Sequence, residues 1–161
     1  MQLDHHAKPR LFHVSREDYE TGSWINPGRY GSASLYPTAQ APDIKAGQVG
    51  AILWEATLET ARLAIAPTAV SRLHCVFAAE TIELAQDFRN RFRPGASIYA
   101  AVPWHDARLF RGDFGLVTNI DPAAPFLAYM PAAAIRYWSE APGADVEVLV
   151  GGPMTVLEFV E

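Results

Sequence analysis

The chain has 161 residues, enough for one domain and too few for two with full cores. Half of them are hydrophobic, which allows a sizeable core and excludes global disorder. The formal charge of −5 excludes a broad basic face for duplex DNA, but not a local basic cleft for a dinucleotide or a single RNA strand.

Cys75 stands alone, so neither an intramolecular disulfide nor a cysteine-rich zinc site is available. That suits a cytoplasm, or a protein delivered into a target cytoplasm. The chain opens with no long apolar run, so no signal peptide or membrane partner is expected.

Residues 1–10 are polar and read as a flexible tail, followed by one domain over 11–161. Leu11–Ser15 has the composition of a short strand, with His13 in its middle. Ser15 and Asp18 have capping-box spacing, which predicts a helical turn ended by Gly22. Residues 25–31 read as a turn-rich loop, and 32–48, with Pro37 and Pro42, as a longer one. Over 50–66 the pattern is helical. Ile52, Leu53, Ala56, Thr60 and Leu63 form the expected apolar face, while Glu55, Glu59 and Arg62 fall on the wetter side.

Pro67 stops that helix, and 73–79 reads as a buried strand. A second helix is predicted over 81–92, with Ile82, Ala85, Phe88 and Phe92 along its inner stripe. After Pro94-Gly95 the reading is a strand over 97–102, a weaker strand over 113–118 and a short helix over 132–138. Val146–Val150 has the alternation of a half-buried strand, and 155–160 is a final strand after Gly151-Gly152-Pro153. Helices early and strands late point to α+β rather than a doubly wound sheet.

Several residues carry chemistry. His13 offers one donor and one acceptor near neutral pH, fit for a ribose hydroxyl, although strand histidines more often serve the core. Arg72 can fork onto a pyrophosphate or form a surface ion pair, and Arg29 in the glycine loop has the same two readings. Glu147 can hold a ribose hydroxyl and stabilise an oxocarbenium-like transition state, or simply face solvent. Tyr137-Trp138 offers stacking surface or core, and Trp104-His105-Asp106 is better explained as a turn. No metal site is expected: His5-His6 lacks partners, and His74 and Cys75 are strand neighbours pointing to opposite faces. Cys75, in a run that reads as buried, is a poor nucleophile.

Leu11-Phe12-His13-Val14-Ser15, then Gly22-Ser23-Trp24-Ile25-Asn26-Pro27-Gly28 and Arg29-Tyr30-Gly31, resembles the opening of ADP-ribosyltransferase domains. The likeness is to the rifamycin ADP-ribosyltransferases and small bacterial relatives. Val76-Phe77-Ala78-Ala79-Glu80, Ile98-Tyr99-Ala100-Ala101-Val102-Pro103 and Val146-Glu147-Val148-Leu149-Val150 follow in the family's order. The resemblance implies split antiparallel sheets with a few helices, NAD as the substrate, and transfer of ADP-ribose to an unknown acceptor: protein, nucleic acid such as RNA, or small molecule.

On this resemblance, His13, with Val14 and Ser15 beside it, would bond the adenosine ribose. Arg29, Tyr30 and Arg72 would help hold NAD, Phe77 would stack on nicotinamide, and Glu147 would be the catalytic carboxylate. Glu140 and Glu158 are its alternatives. Phe77 stands where many relatives have tyrosine, and the helix before it departs from the rifamycin-modifying enzymes. The helix bears on the acceptor and not on the fold; Phe77 and the alternative glutamates leave open an inactive nucleotide- or protein-binding module of the same fold, and an NAD glycohydrolase without an acceptor is a third reading.

Overall fold

The computed structural model describes residues 8–34, 46–121 and 123–161. Most of the expected tail, including His5-His6, and the part of the expected loop containing Pro37 and Pro42 lie outside them. In chain order the elements are β1 (Leu11–Ser15), β2 (Trp24–Ile25), α1 (Arg29–Ser34), α2 (Ala46–Ile65) and a 3-10 turn (Arg72–His74). There follow β3 (Val76–Ala78), α3 (Ile82–Phe92), β4 (Ser97–Pro103), β5 (Leu109–Asp113), α4 (Gly115–Thr118), α5 (Phe126–Ser139), β6 (Val146–Val150) and β7 (Met154–Phe159).

The architecture is α+β with two antiparallel sheets, ordered β1-β4-β7-β2 and β3-β6-β5. They meet where Phe12 and Ala79 exchange backbone hydrogen bonds of 2.9 and 2.8 Å. Leu11, Tyr99, Met154 and Val156 of the first sheet share one buried cluster with Val76, Val148 and Val150 of the second. The opposite face of the second sheet, at Leu149, is covered by α2 and α5 through Leu58, Ala134 and Trp138. Among the described residues no helix is long and apolar enough to cross a membrane.

The structure corrects several sequence expectations. Ser15 begins no helix; its hydroxyl accepts the Glu17 N–H at 3.0 Å and closes a tight turn. The loop expected over 25–31 contains the end of β2 and the start of α1. α1 packs on the 3-10 turn so closely that a Cβ at Gly31 would overlap the Leu73 carbonyl, so only glycine fits there. The strand expected over 73–79 starts late: Ser71 caps the 3-10 turn by accepting the Leu73 N–H at 3.2 Å, and the strand begins at Val76.

The weak strand expected over 113–118 is helix α4. Asp113 ends β5 by accepting the Gly115 N–H at 2.9 Å and the Gly143 N–H at 3.0 Å. α5 starts before the expected 132 and runs through Pro131. An interior proline costs about 3 kcal/mol. Burial of Met130, Ala133, Ala134, Tyr137 and Trp138 offsets it.

α3 presents the expected face at Ala85, which is buried, with Glu83, Asp87, Asn90 and Arg91 exposed; Phe92, expected on the inner stripe, is 41% exposed beside Phe88 and Phe114. α2 presents the opposite one. Leu53 and Leu63 are 42% and 60% exposed, whereas Glu55 and Arg62 are buried beside Trp54 and Leu58. The reason is polar: Arg62 pairs with Glu59 at 2.8 Å and donates to the Pro67 and Ala69 carbonyls, and Ser71 donates to Glu59. The charged stripe of α2 faces the segment that carries Arg72. β6 also departs from a half-buried strand, because Val148, Leu149 and Val150 are all fully buried between the other sheet and α5.

Candidate functional site

A cleft of about 490 Å³ opens beside the junction of the sheets. Its walls include Phe12 to Ser15 of β1, Val76 to Ala78 of β3, Val146 and Glu147 of β6, and Tyr30 of α1. The volume lies in the range of small-molecule sites.

His13 sits opposite Tyr99 in β1, next to the bridge that joins the sheets. Its Nδ1 lies 2.8 Å from the Phe77 carbonyl oxygen, an acceptor, so Nδ1 carries the proton and donates. Nε2 is then the acceptor. Nε2 makes no hydrogen bond within the protein, and His13 is one of the residues that line the cleft. Burial pushes the imidazole below its ordinary pKa; the Phe77 hydrogen bond opposes this and the charge of Arg93 adds to it. The ring stays neutral.

Glu147 lies opposite Gly112 on the central strand of the second sheet. Its side chain is 11% exposed. Oε1 accepts from the Tyr137 hydroxyl at 2.7 Å and pairs with Arg72 Nη1. Oε2 takes no hydrogen bond within the protein, and Glu147 is one of the residues that line the cleft. Burial raises the carboxyl's pKa, Arg72 and Tyr137 hold it down, and the Glu55 carboxylate pushes it up again.

Arg72 is buried on the 3-10 turn and forms no surface ion pair. Its guanidinium forks onto Glu55, with Nε and Nη2 at 3.0 to 3.1 Å from the carboxylate oxygens. Nη1 also reaches the Tyr137 hydroxyl at 3.2 Å. The guanidinium lies 4.9 Å from the centre of the Phe77 ring. The donors a pyrophosphate would need are therefore largely committed to protein carboxylates. Two carboxylates flank one cation, an arrangement that is costly to bury unless fully hydrogen-bonded.

Tyr30 joins this group. Its ring meets Phe77 edge-on at 5.2 Å, and its hydroxyl lies 3.4 Å from Glu55 Oε1. Burial, with the Glu55 charge, pushes that phenol up to about 12. Val14 and Ser15 line the cleft as strand neighbours of His13. Arg29 lies at the rim and pairs with Glu17.

Cys75 is buried, donates to the Arg72 carbonyl at 3.3 Å, and has its thiol pKa pushed up by desolvation, so it is no nucleophile. Glu140 and Glu158 are exposed and pair with Arg136 and Arg10, and neither lines the cleft. His105 and Asp106 are exposed in a turn closed by the 3.0 Å Ala107 N–H to Trp104 carbonyl bond. Tyr137 and Trp138 are core, with the indole donating to the Leu58 carbonyl at 2.7 Å.

The structure thus brings His13, Phe77, Tyr30, Arg72 and Glu147 to one cleft. Sequence reasoning missed Glu55, the Tyr137 hydroxyl, and Arg16 and Arg93 among the residues that line the cleft. Glu55-Glu59-Arg62, at four- and three-residue spacing, was a legible signal for a second polar face on α2. Nothing local marks Tyr137 as a partner of Glu147, ten positions away on another element.

No curated protein matches the chain. Residues 14–161 match the model of the family described as "Protein of unknown function (DUF2441)", and the chain belongs to that family.

Proposed function

We propose that the cleft binds NAD⁺ and that the protein transfers ADP-ribose from it to an acceptor, releasing nicotinamide. The observation that carries this reading is a pair of cleft-lining residues with an acceptor that no protein group pairs: His13, with Nε2, on the first sheet and Glu147, with Oε2, on the second. Both can accept from ribose hydroxyls, with the Phe77 ring in the same cleft as a stacking surface. The two antiparallel sheets and the motif order of an ADP-ribosyltransferase-like domain support it further. Arg16 and Arg93, rather than the committed Arg72, are the cations best placed for the pyrophosphate.

In the reaction, the bond between ribose C1′ and the nicotinamide nitrogen breaks, and nicotinamide leaves with the bonding pair. The acceptor's nucleophile then bonds to C1′ and loses its proton. Positive charge develops on the ribose between these events. A carboxylate accepting from the 2′-hydroxyl stabilises it more than the ground state, which is what acceleration requires.

Titration calorimetry with NAD⁺ tests the binding part. Wild-type protein is expected to bind, His13→Ala to bind about tenfold more weakly, and Glu147→Gln to bind about as well as wild type. Equal affinity of the His13 variant and wild type would remove His13 from the site.

A second reading is a nucleotide-binding module without catalysis. What favours it is that Arg72 and Tyr137 already occupy one oxygen of Glu147. Tight NAD⁺ binding without nicotinamide release, with or without lysate as a source of acceptor, would select it.

A further inference from the structure

The contact between Tyr137 and Glu147 depends on a gap in the intervening strand. Tyr137 projects from α5, and Glu147 lies on β6 directly opposite Gly112 of β5. A Cβ at Gly112 would overlap Cζ, the hydroxyl and Cε2 of the Tyr137 ring. Such overlap is not relieved by a flexible tip, because the ring is 1% exposed and packed against Phe110 and Trp138. The missing side chain is what lets the phenol pass over β5 and donate to Glu147 Oε1 at 2.7 Å.

The other fixing contact comes from a different direction. Arg72 reaches the same Oε1, and Arg72 is itself clamped by the Glu55 carboxylate of α2. Two donors from two elements hold that one oxygen in place. They also leave Oε2 as the only oxygen for a ligand.

We propose that Tyr137 is a positioning residue for Glu147, admitted to it by Gly112, and that it holds the carboxyl with Oε2 toward the cleft. The inference deepens the proposed function and rests on the reading of Glu147 as the carboxylate that meets the ribose. Tyr137 touches no substrate. Its contribution is to keep Glu147 in one rotamer and, by donating, to favour the carboxylate over the acid.

The test uses the whole chain with carboxyl-labelled glutamate, following the Glu147 titration by NMR, with Glu147→Gln to assign the signal. Tyr137→Phe keeps the ring and removes the donor. It is expected to raise the Glu147 midpoint by about one pH unit. An unmoved midpoint would overturn the proposal, whereas loss of packing alone would lower melting temperature without that shift. Gly112→Ala is expected to raise the midpoint as Tyr137→Phe does, with a larger fall in melting temperature. If it does not fold, Tyr137→Phe decides.

Where wild-type protein releases nicotinamide, Tyr137→Phe should lower kcat about tenfold and leave KM for NAD⁺ within about twofold. An unchanged kcat would overturn the positioning role. Failure of the wild type to cleave NAD⁺ counts against the proposed function alone, and the carboxyl titration still decides for or against Tyr137.

Discussion

His13 shows how much of a residue's chemistry is set by one backbone contact. The Phe77 carbonyl fixes the tautomer, and burial keeps the ring neutral. The consequence for stability has a definite sign. The folded-state pKa lies below the ordinary imidazole value of about 6.5, so as pH falls through that value the unfolded chain binds a proton that the folded chain resists. The stability held by neutral His13 is complete above the unfolded pKa and is lost as pH falls toward the folded one. Urea denaturation from about pH 7 to about pH 5.5 should therefore show wild type losing more stability than His13→Gln. Parallel losses in the two proteins would mean that His13 is not held neutral by the fold.

At the scale of elements, α2 is where the sequence misleads. Leu53 and Leu63 point outward, and the buried side carries Glu55 and Arg62 together with Trp54 and Leu58. Counting apolar residues picks the wrong face, because the winning term is a set of polar partners from a distant segment, Ser71 and Arg72. The energetic expectation follows. Arg72→Met leaves the Glu55 and Glu147 carboxylates buried against each other and should cost about 3–5 kcal/mol. Leu63→Ala, on the exposed face, should stay within about 0.5 kcal/mol. Chemical denaturation of the two variants checks this, and similar losses would contradict the assigned face.

Other elements were legible because their signals are local. β1 and the amphipathic face of α3 followed from short-range pattern, and Thr81 caps α3 by accepting the Leu84 N–H at 3.3 Å. The 3-10 turn at Arg72–His74 and helix α4 were missed, because the Ser71 cap of the first and the Asp113 side chain turning the backbone at Gly115 before the second redirect stretches whose composition reads as strand. α5 was cut short at Pro131 because a proline is read as a boundary, while tertiary burial carried the helix through it.

For the whole molecule, the α+β class was legible from element order, since it needs no knowledge of which strands pair. The site was legible only in part. His13, Phe77 and Glu147 each stand on a strand, and strand residues can be singled out by type. Which carboxylate lines the cleft depends on sheet order: Glu147 lies on the central strand at the cleft, whereas Glu158 on β7 pairs with Arg10 outside it. The partners Glu55 and Tyr137 come from two helices that meet the sheet only in the folded chain. Because the cleft draws on both sheets, its integrity depends on the packing that joins them at Phe12 and Ala79.

The measurement that bears most directly on the central claim is nicotinamide release from NAD⁺ by the pure protein, with and without lysate as a source of acceptor, against Glu147→Gln. Arg72 stays clamped by Glu55 in that variant, so the fold should hold and a matching melting curve confirms it. Wild type is expected to release nicotinamide, and the variant to do so about 100- to 1000-fold more slowly. Release that is equal in the two proteins, or absent from both under every condition, would contradict that claim.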